Sequence, residues 1–535
     1  MPRFDTLIRC ATIIDGTGKP GFKADIGLEN GRITRIGNLK DLEASETISG
    51  SELVASPGFI DIHSHADLGI LWSPRAESLV MQGVTTAVTG NCGLSLAPVL
   101  PKNLASLEEY LAPREPLSWE WKTFGEFNRK LQESGTAVNL VPLVGHGTIR
   151  ACVMGFDDRR PTTEELTHMG NLLESAMKDG AFGMSTGLIY PPGVYSETPE
   201  LIALAEIVAQ FGGIYASHIR GESEILIGLI NAVKEAIEIG EQANVPVQIS
   251  HHKASGKAHW GKVRETLDLM EQARDRGVDV SCDVYPYTAG SASLMSALPP
   301  WVLDQGVAGM IDRITNSDTR ARIERELREN GTPGWGAMED ILISRCVSDA
   351  RIEGMTIGQI AASREVDPPC ALLDLLAEDH AKTSMITFTM SEDDVISVLT
   401  DPFSMVCSDS GVCNPESGGK PHPRTYGAFP RVLGHYTRDR ACLTLEEAIR
   451  KMTWLPAQRM GLTDRGILRE GARADVVLFD PSIVRDTATY VDPHRYPEGI
   501  VHVLVSGQAV VRDGTHTGTL PGEILSRPGT ERKPQ

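Results

Sequence analysis

The sequence GFIDIHSHADL, at residues 58–68, is an apolar run that ends in two histidines, and it gives the first indication of the architecture. Residues i and i+2 of an extended chain face the same side, so His63 and His65 point in the same direction. Two imidazoles just beyond a strand end can hold one divalent cation. Two unrelated polar residues at a strand end would give the same His-Ser-His pattern. The neighbouring sequence therefore has to distinguish a metal site from a chance pair of histidines.

The central part of the chain repeats this arrangement of an apolar run followed by polar residues. Segments with apolar residues at helical spacing, such as TEELTHMGNLLESAMKDG, separate the runs. This alternation predicts an α/β fold, a (β/α)8 TIM barrel with parallel strands. The predicted strands are LVASPGFIDIHSH, GVTTAVTGN, AVNLVPLVGH, AFGMSTGLIY, GGIYASHIR, PVQISHHK, VDVSCDVYPY and FSMVCSDS.

Both ends of the chain are rich in short strand-like runs. An Asn-Gly pair at position 30 and a Ser-Gly pair at position 506 are typical of hairpin turns. Because chain termini often lie close together, we expect one small β-sandwich domain from both ends. The charged, helical sequence before strand eight predicts a helical insertion after strand seven, over the mouth of the barrel. The predicted ranges are 1–56 and 465–535 for the sandwich, 57–464 for the catalytic barrel, and about 291–346 for the insertion.

The composition of the chain argues against some classes of binding partner. Hydrophobic residues make up 41% and charged residues 23% of the 535 residues, which is ordinary for a globular protein. The net charge of −20 argues against nucleic acid and anionic membranes as partners. No apolar run of about 20 residues is present to span a membrane. The odd number of cysteines and the lack of a secretory pattern predict a cytoplasmic protein. The sequence does not indicate an oligomeric state.

Polar residues follow the predicted strands at the ends that a barrel gathers around one mouth. Cys92 lies in the turn TGNCGLS, where a thiolate can bind zinc, although a free cysteine is often a small buried core residue. His218 and His251 end strands five and six, and they favour the ligand interpretation for Cys92. His252 would face the other side of the strand, so His251 is the predicted ligand.

Asp409 follows the apolar strand FSMVCS. A carboxylate there has to be paired, metal-bound or catalytic, because burying it alone is costly. Beside a metal-activated water it would act as a general base and then return the proton to a leaving amine. A helix N-cap is the simpler alternative. His146, between two glycines at the end of strand three, is a candidate for the pocket lining or for polarising a carbonyl.

The motifs GFIDIHSHADL, QGVTTAVTGNCGLSLAP, FGMSTGLIYPPGVYS, YASHIRGE, QISHHKASG, DVYPYTAGS, SDSG with HPRTYGAFPRVLG, and ILREGARADVVLFDP occur in this order. Together they resemble the amidohydrolase superfamily and, within it, the D-aminoacylase (N-acyl-D-amino-acid deacylase) family. The resemblance implies a TIM barrel beside a small β-sandwich. It also implies a zinc-dependent hydrolase that cleaves N-acyl-D-amino acids to a carboxylic acid and a free D-amino acid, with Asp409 as general base and acid.

The resemblance also implies roles for individual residues. The tight zinc site would comprise Cys92, His218 and His251, and a second, weaker divalent site would comprise His63, His65 and Asp409. The carboxylate of a small-molecule substrate, an N-acyl amino acid, would be surrounded by Lys253, Tyr190, Tyr285, Ser291 and Arg424. An Arg fork and a Lys suit a carboxylate. The segment GSASLMSALPPW carries no arginine for an acidic side chain, which favours substrates with neutral or apolar side chains.

Two alternatives to an N-acyl-D-amino-acid deacylase are another amidase of the same superfamily and a non-catalytic barrel scaffold. A cyclic amidase of the hydantoinase or dihydroorotase type, or an isoaspartyl dipeptidase, would use the same barrel. Strand four ends in STGLIY without a lysine to bridge two metals, and Cys92 is present, so both features argue against these enzymes. A non-catalytic barrel scaffold would lack metal ligands, whereas every predicted ligand is present here.

Overall fold

Eight parallel strands form a closed barrel in the computed structural model, which describes residues 4–111 and 117–527. Backbone hydrogen bonds close the ring between the last and first strands, because Asp409 N donates to His63 O and His65 N donates to Ser410 O, both at 2.9 Å. The predicted TIM barrel is confirmed. Its strands are Phe59–Asp61, Val84–Thr89, Asn139–Pro142 with Val144–Gly145, Gly183–Gly187, Ile214–His218, Val247–Ile249, Val280–Val284 and Ser404–Val406.

The helix Thr163–Lys178 shows how a helix of the barrel buries one apolar stripe. In Thr163–Lys178, the side chains of Met169, Leu173 and Met177 are buried at a spacing of four residues. Thr162 and Glu165 form a capping box that begins this helix. Further helices around the barrel are Glu77–Val80, Leu104–Leu111, Phe124–Ser134, His146–Met154, Thr198–Gln210, Leu229–Ala243, Lys262–Asp275, Glu392–Thr400, Arg424–Arg431, Leu445–Met452 and Trp454–Arg459.

The two ends of the chain share one nine-stranded sheet. Val54–Pro57 pairs antiparallel with Val476–Phe479, which joins the N-terminal and C-terminal strands. Asn30 and Gly31 both have positive φ, as the predicted hairpin turn requires. The other strands of this sheet are Phe4–Ile13, Phe22–Glu29, Arg32–Gly37, Ala44–Ser49, Ile500–Val505, Gln508–Arg512 and Thr515–His516.

The segment between barrel strands seven and eight is an insertion with its own core. Its helices are Gly306–Thr315, Ser317–Asn330, Ile357–Arg364 and Pro368–Glu378. It also contains a three-stranded antiparallel sheet of Gly290–Ser293, Ser384–Thr387 and Leu342–Arg345, in that order. The insertion therefore extends past residue 346, because its central strand comes last in the chain. In the described part of the chain, no helix is both long and apolar enough to cross a membrane.

Candidate metal centre and active site

A cavity of about 250 Å³ opens at the carboxyl ends of the barrel strands. The barrel contributes most of the polar side chains of its wall, and the insertion contributes Ser291, Met295 and Trp335. The insertion thus forms part of this cavity. The predicted site residues that line this cavity are His65, Cys92, Tyr190, His218, His251, Lys253, Tyr285, Ser291, Asp409 and Arg424.

Cys92, His218 and His251 converge at the floor of the cavity. The Sγ atom of Cys92 lies 3.7 Å from Nδ1 of His218 and 3.5 Å from Nε2 of His251. All three side chains are buried, and their ligand atoms lie within 4.8 Å of one another. One sulfur and two imidazole nitrogens, with room for a further ligand, suit a catalytic zinc ion. His252 points elsewhere, with its Nε2 2.7 Å from Oγ1 of Thr266.

A second cluster adjoins the first and shares its thiol. Nε2 of His63 lies 3.3 Å from Sγ of Cys92 and 3.5 Å from Oδ1 of Asp409. Nε2 of His65 lies 3.3 Å from the same carboxylate oxygen. His63, His65, Cys92 and Asp409 therefore form a second group that fits a divalent cation.

Three of these side chains are carried on backbone that non-glycine residues rarely adopt. Cys92, His251 and Asp409 have φ values of 53°, 34° and 49°. Ser185 holds the Cys92 turn, since its hydroxyl donates to Gly90 O and accepts a hydrogen bond from Gly93 N. Strained conformations at three converging side chains are typical of a functional site.

Burial sets the protonation of the cluster. It raises the pKa of the Cys92 thiol well above its usual range. It also holds the pKa values of His63, His218 and His251 well below that of a free imidazole, so their rings are neutral. Burial is the largest single effect on Asp409 and raises its pKa, but Arg424, His251, His65 and His63 together outweigh it, so the pKa lies well below its usual range. The site therefore offers neutral imidazoles and an ionised carboxylate.

Two cations and an aromatic ring form the wall beside the cluster. Nη1 of Arg424 lies 2.8 Å from Oδ2 of Asp409, and its guanidinium carbon lies 4.4 Å from the ring centroid of Tyr285. Nζ of Lys253 lies 5.6 Å from the same centroid. The ring of Tyr190 packs edge-on against His218, with centroids 4.8 Å apart. The structure thus brings these four predicted substrate residues together.

Two other predicted substrate residues, Ser291 and His146, make hydrogen bonds or close contacts with residues outside this wall. The hydroxyl of Ser291 lines the cavity but donates to the carbonyl of Met385 at 2.9 Å. His146 is fully buried and is not among the residues that line this cavity, and its Nε2 lies 2.8 Å from Oε1 of Glu200. Arg150 meets the same oxygen at 3.2 Å. His146 starts the helix after strand three, which turns its ring behind the strand ends.

Two carboxylates that the sequence motifs do not single out, Glu222 and Asp283, lie beside the histidines. Glu222 lies 2.6 Å from Nζ of Lys253 through Oε1. Asp283 accepts a hydrogen bond from His251 N at 2.7 Å and lies 3.6 Å from Nδ1 of His63. Glu222 stands four residues after His218 in the quoted motif YASHIRGE, so its position was visible although its partners were not.

A second cavity, of about 350 Å³, adjoins the first. Asp409 and Arg424 belong to the walls of both cavities. The loop after Asp409 forms one side of the second cavity through Val412 and Pro421, and Arg345 of the insertion forms another part of its wall. The carboxylate of Asp409 therefore has open space on both sides.

Known proteins are similar to this chain over almost its whole length. The model of the amidohydrolase family matches residues 46–329 and 406–511. A D-aminoacylase from Alcaligenes xylosoxydans xylosoxydans is 38% identical over 524 residues, which cover 98% of this chain and 98% of the relative. An N-acyl-D-aspartate deacylase from the same organism is 36% identical and covers 98% of this chain and 95% of the relative.

A solved structure agrees with the fold in detail. The N-acyl-D-glutamate deacylase from Bordetella bronchiseptica was crystallised with zinc and a phosphonate inhibitor that mimics the tetrahedral intermediate of its reaction. It is 35% identical to this chain, covers 98% of this chain and 100% of its own, and superposes with a TM-score of 0.83. Fold, ligand types and sequence similarity agree, and the chain belongs to the amidohydrolase family, in its D-aminoacylase branch.

Proposed function

We propose that this chain is a zinc-dependent hydrolase that cleaves the amide bond of N-acyl-D-amino acids to a carboxylic acid and a free D-amino acid. The observation that carries the proposal is the convergence of Cys92, His218 and His251 in a cavity whose wall also holds Asp409 and Lys253. The relatives named above, a D-aminoacylase and two N-acyl-D-amino-acid deacylases, support the substrate class and its configuration.

The ligand types suit zinc. We assign the tight site to Cys92, His218 and His251, because a soft sulfur with two imidazoles favours zinc over hard cations. His63, His65 and Asp409 would hold a second divalent cation more weakly. Zinc in such a site lowers the pKa of a bound water towards 7 and polarises an acyl carbonyl. Strand four, Gly183–Gly187, ends without a lysine, which argues against the bridged pair of metals that cyclic amidases use.

Asp409 is the proposed proton carrier. Its Oδ1 faces His63 and His65 at 3.5 and 3.3 Å, and its pKa lies well below the usual range, so it is an ionised acceptor. Asp409 accepts a proton from the attacking water and then gives it to the amine that leaves. For both transfers the carboxylate has to lie between the attacking water and the leaving nitrogen. Asp409 lines both cavities, and this position between them meets that requirement.

The substrate carboxylate is assigned to the cationic wall. Lys253 and Arg424 both face the ring of Tyr285, and all three side chains are buried. A planar guanidinium and an ammonium can bind one carboxylate through charge-assisted hydrogen bonds. Tyr190 and Ser291 lie in the same lining and are proposed to shape the space around the substrate.

The proposed substrate side chain is neutral or apolar. The first cavity is walled by the apolar side chains of Leu94, Tyr110, Met295 and Trp335. The cations in this lining, Lys253 and Arg424, are already assigned to the α-carboxylate. A second carboxylate in the side chain would meet the apolar wall without a partner, which is unfavourable. The acyl group is assigned to the second cavity, on the other side of Asp409.

We also propose a cytoplasmic location and domain limits near residues 56 and 465. The site needs the Cys92 thiol in its reduced form to bind zinc, and the cytoplasm keeps thiols reduced. Residues 57–464 would then contain every proposed ligand and substrate residue, while the terminal sheet would act as a structural domain. The proposed partner is a small molecule.

The experiment that tests this function measures amine release by the zinc-loaded protein from matched N-acetyl-D- and N-acetyl-L-amino acids. Methionine, leucine, phenylalanine and glutamate serve as side chains, and ring opening of dihydrouracil is measured in parallel. The proposal predicts turnover of the D series, with methionine, leucine and phenylalanine ahead of glutamate. Turnover restricted to the L series or to dihydrouracil would contradict it.

A further inference from the structure

We infer that Glu222 positions both histidines of the tight metal site and selects the ring nitrogen that each turns towards Cys92. The inference rests on the proposed function, which assigns His218 and His251 to zinc. Glu222 follows barrel strand five, four residues beyond His218, and its side chain is only 9% exposed. It is a positioning residue in this account, since it acts on the metal site through other side chains.

One oxygen of Glu222 faces both histidines. Its Oε1 lies 3.5 Å from Nε2 of His218 and 3.3 Å from Nδ1 of His251. The two rings therefore present opposite nitrogens to the thiol, because Nδ1 of His218 and Nε2 of His251 are the atoms that face Cys92. The same carboxylate oxygen thus lies on the side of each ring that faces away from the thiol, and at His251 it shares this place with the Lys253 ammonium, 2.8 Å from Nδ1.

The chemistry of imidazole explains why a carboxylate beside each ring affects metal binding. A neutral ring has one nitrogen with a lone pair and one with a hydrogen, and a metal takes the lone pair. An acceptor opposite the remaining N–H fixes the ring and makes the ligand more basic. Among the described residues, Nε2 of His218 makes no hydrogen bond, and the carboxylate that faces it is Glu222. Binding of zinc at Nδ1 would leave this N–H directed at Glu222.

Lys253 offers a competing explanation for Glu222. Its ammonium lies 2.6 Å from Oε1 of Glu222 and 2.8 Å from Nδ1 of His251. Glu222 could therefore serve only to neutralise Lys253 in a buried wall. The two explanations differ in one measurable respect, because only the positioning role requires an effect on zinc binding when Lys253 is absent.

The test compares Glu222→Gln with Glu235→Gln. Glu235 is a matched control, because it is also a buried carboxylate near strand five and pairs with Arg220 at 3.0 Å. Zinc affinity is measured by competition with a chromogenic chelator, and the ligand field by visible absorption of the cobalt-substituted protein. We expect Glu222→Gln to weaken zinc binding by roughly tenfold to a hundredfold and to shift the cobalt bands. Glu235→Gln should match the unmodified protein in both readouts.

A Lys253→Gln background separates the two explanations. In this background, Glu222→Gln should still weaken zinc binding. If Glu222→Gln folds poorly, Glu222→Asp is used in its place, and because it keeps the carboxylate it should retain part of the zinc affinity. Unchanged zinc affinity with an unchanged cobalt spectrum would overturn the inference, and so would an effect that disappears without Lys253. These readouts need no turnover, so failure of the proposed reaction in the D/L comparison is distinguishable from failure of this inference.

Discussion

Arg424 and Asp409 form a buried ion pair, with Nη1 2.8 Å from Oδ2, while the other oxygen of Asp409 lies 3.3 Å from Nε2 of His65. One carboxylate thus faces the histidine cluster on one side and a buried guanidinium on the other. The pair places the proposed proton carrier next to the proposed anchor of the substrate carboxylate. In the proposed function, this direct contact couples substrate binding to proton transfer.

Replacing Asp409 with Asn should remove the proton carrier while leaving the tight zinc site in place. We expect kcat to fall by roughly a hundredfold to ten-thousandfold, the usual contribution of general acid–base catalysis. Zinc content should stay close to that of the unmodified protein, because Cys92, His218 and His251 are untouched. Asp486→Asn is the control, since Asp486 also pairs with an arginine, Arg431 at 3.1 Å. Near-normal turnover by Asp409→Asn would show that another group carries the proton.

Replacing Lys253 with Met should weaken recognition of the substrate carboxylate. A hydrogen bond to a charged group contributes about 1.5–3 kcal/mol, so we expect KM to rise by roughly tenfold to a hundredfold. The matched comparison is an N-acyl amine of the same shape without the carboxylate, on which the variant and the unmodified protein should act equally well. Equal losses on both compounds would mean that Lys253 does not bind the carboxylate.

Replacing Cys92 with Ser should remove the tight zinc site. A hydroxyl is a much poorer zinc ligand than a thiolate, so zinc retained after dialysis should fall well below that of the unmodified protein. Cys152→Ser is the control, because Cys152 is also buried and its thiol donates to Pro98 O at 3.3 Å, away from the cluster. Full zinc retention by Cys92→Ser would show that residues other than Cys92 hold the tightly bound zinc.

Zinc affinity should depend on pH through Cys92. Its pKa is raised by burial and those of His218 and His251 are lowered, so near neutral pH the thiol is protonated and the rings are neutral. Binding then releases one proton, and the apparent affinity should rise about tenfold per pH unit in the neutral range. The chelator competition, repeated at several pH values, measures this slope. A flat profile in the unmodified protein would exclude the thiol as the proton source.

The barrel could be predicted from the sequence because its signal is periodic. Apolar runs ending at His63, Cys92, His218 and Asp409 place each side chain at a strand end, and parallel strands in a barrel bring these ends together. The hairpin at Asn30 was predictable for a local reason, since that turn requires positive φ.

The remaining features depend on contacts that a sequence does not display. Glu222 contacts His251 and Lys253, about 30 positions further along the chain, and nothing in YASHIRGE indicates these two partners. His146 follows a strand as Cys92 and His218 do, but a helix begins at it and its ring contacts Glu200, which lies 54 positions further along the chain. The strand Ser384–Thr387 of the insertion has no clear sequence signal, because it is only four residues long and pairs with distant partners.

The most direct test of the account is a zinc titration of the metal-free protein during hydrolysis of N-acetyl-D-methionine, with the L isomer in parallel. The account predicts no turnover without metal, a rise that reaches most of its maximum near one zinc per chain, and little turnover of the L isomer at any zinc concentration. Full activity in the absence of metal, or equal hydrolysis of the two isomers, would contradict it.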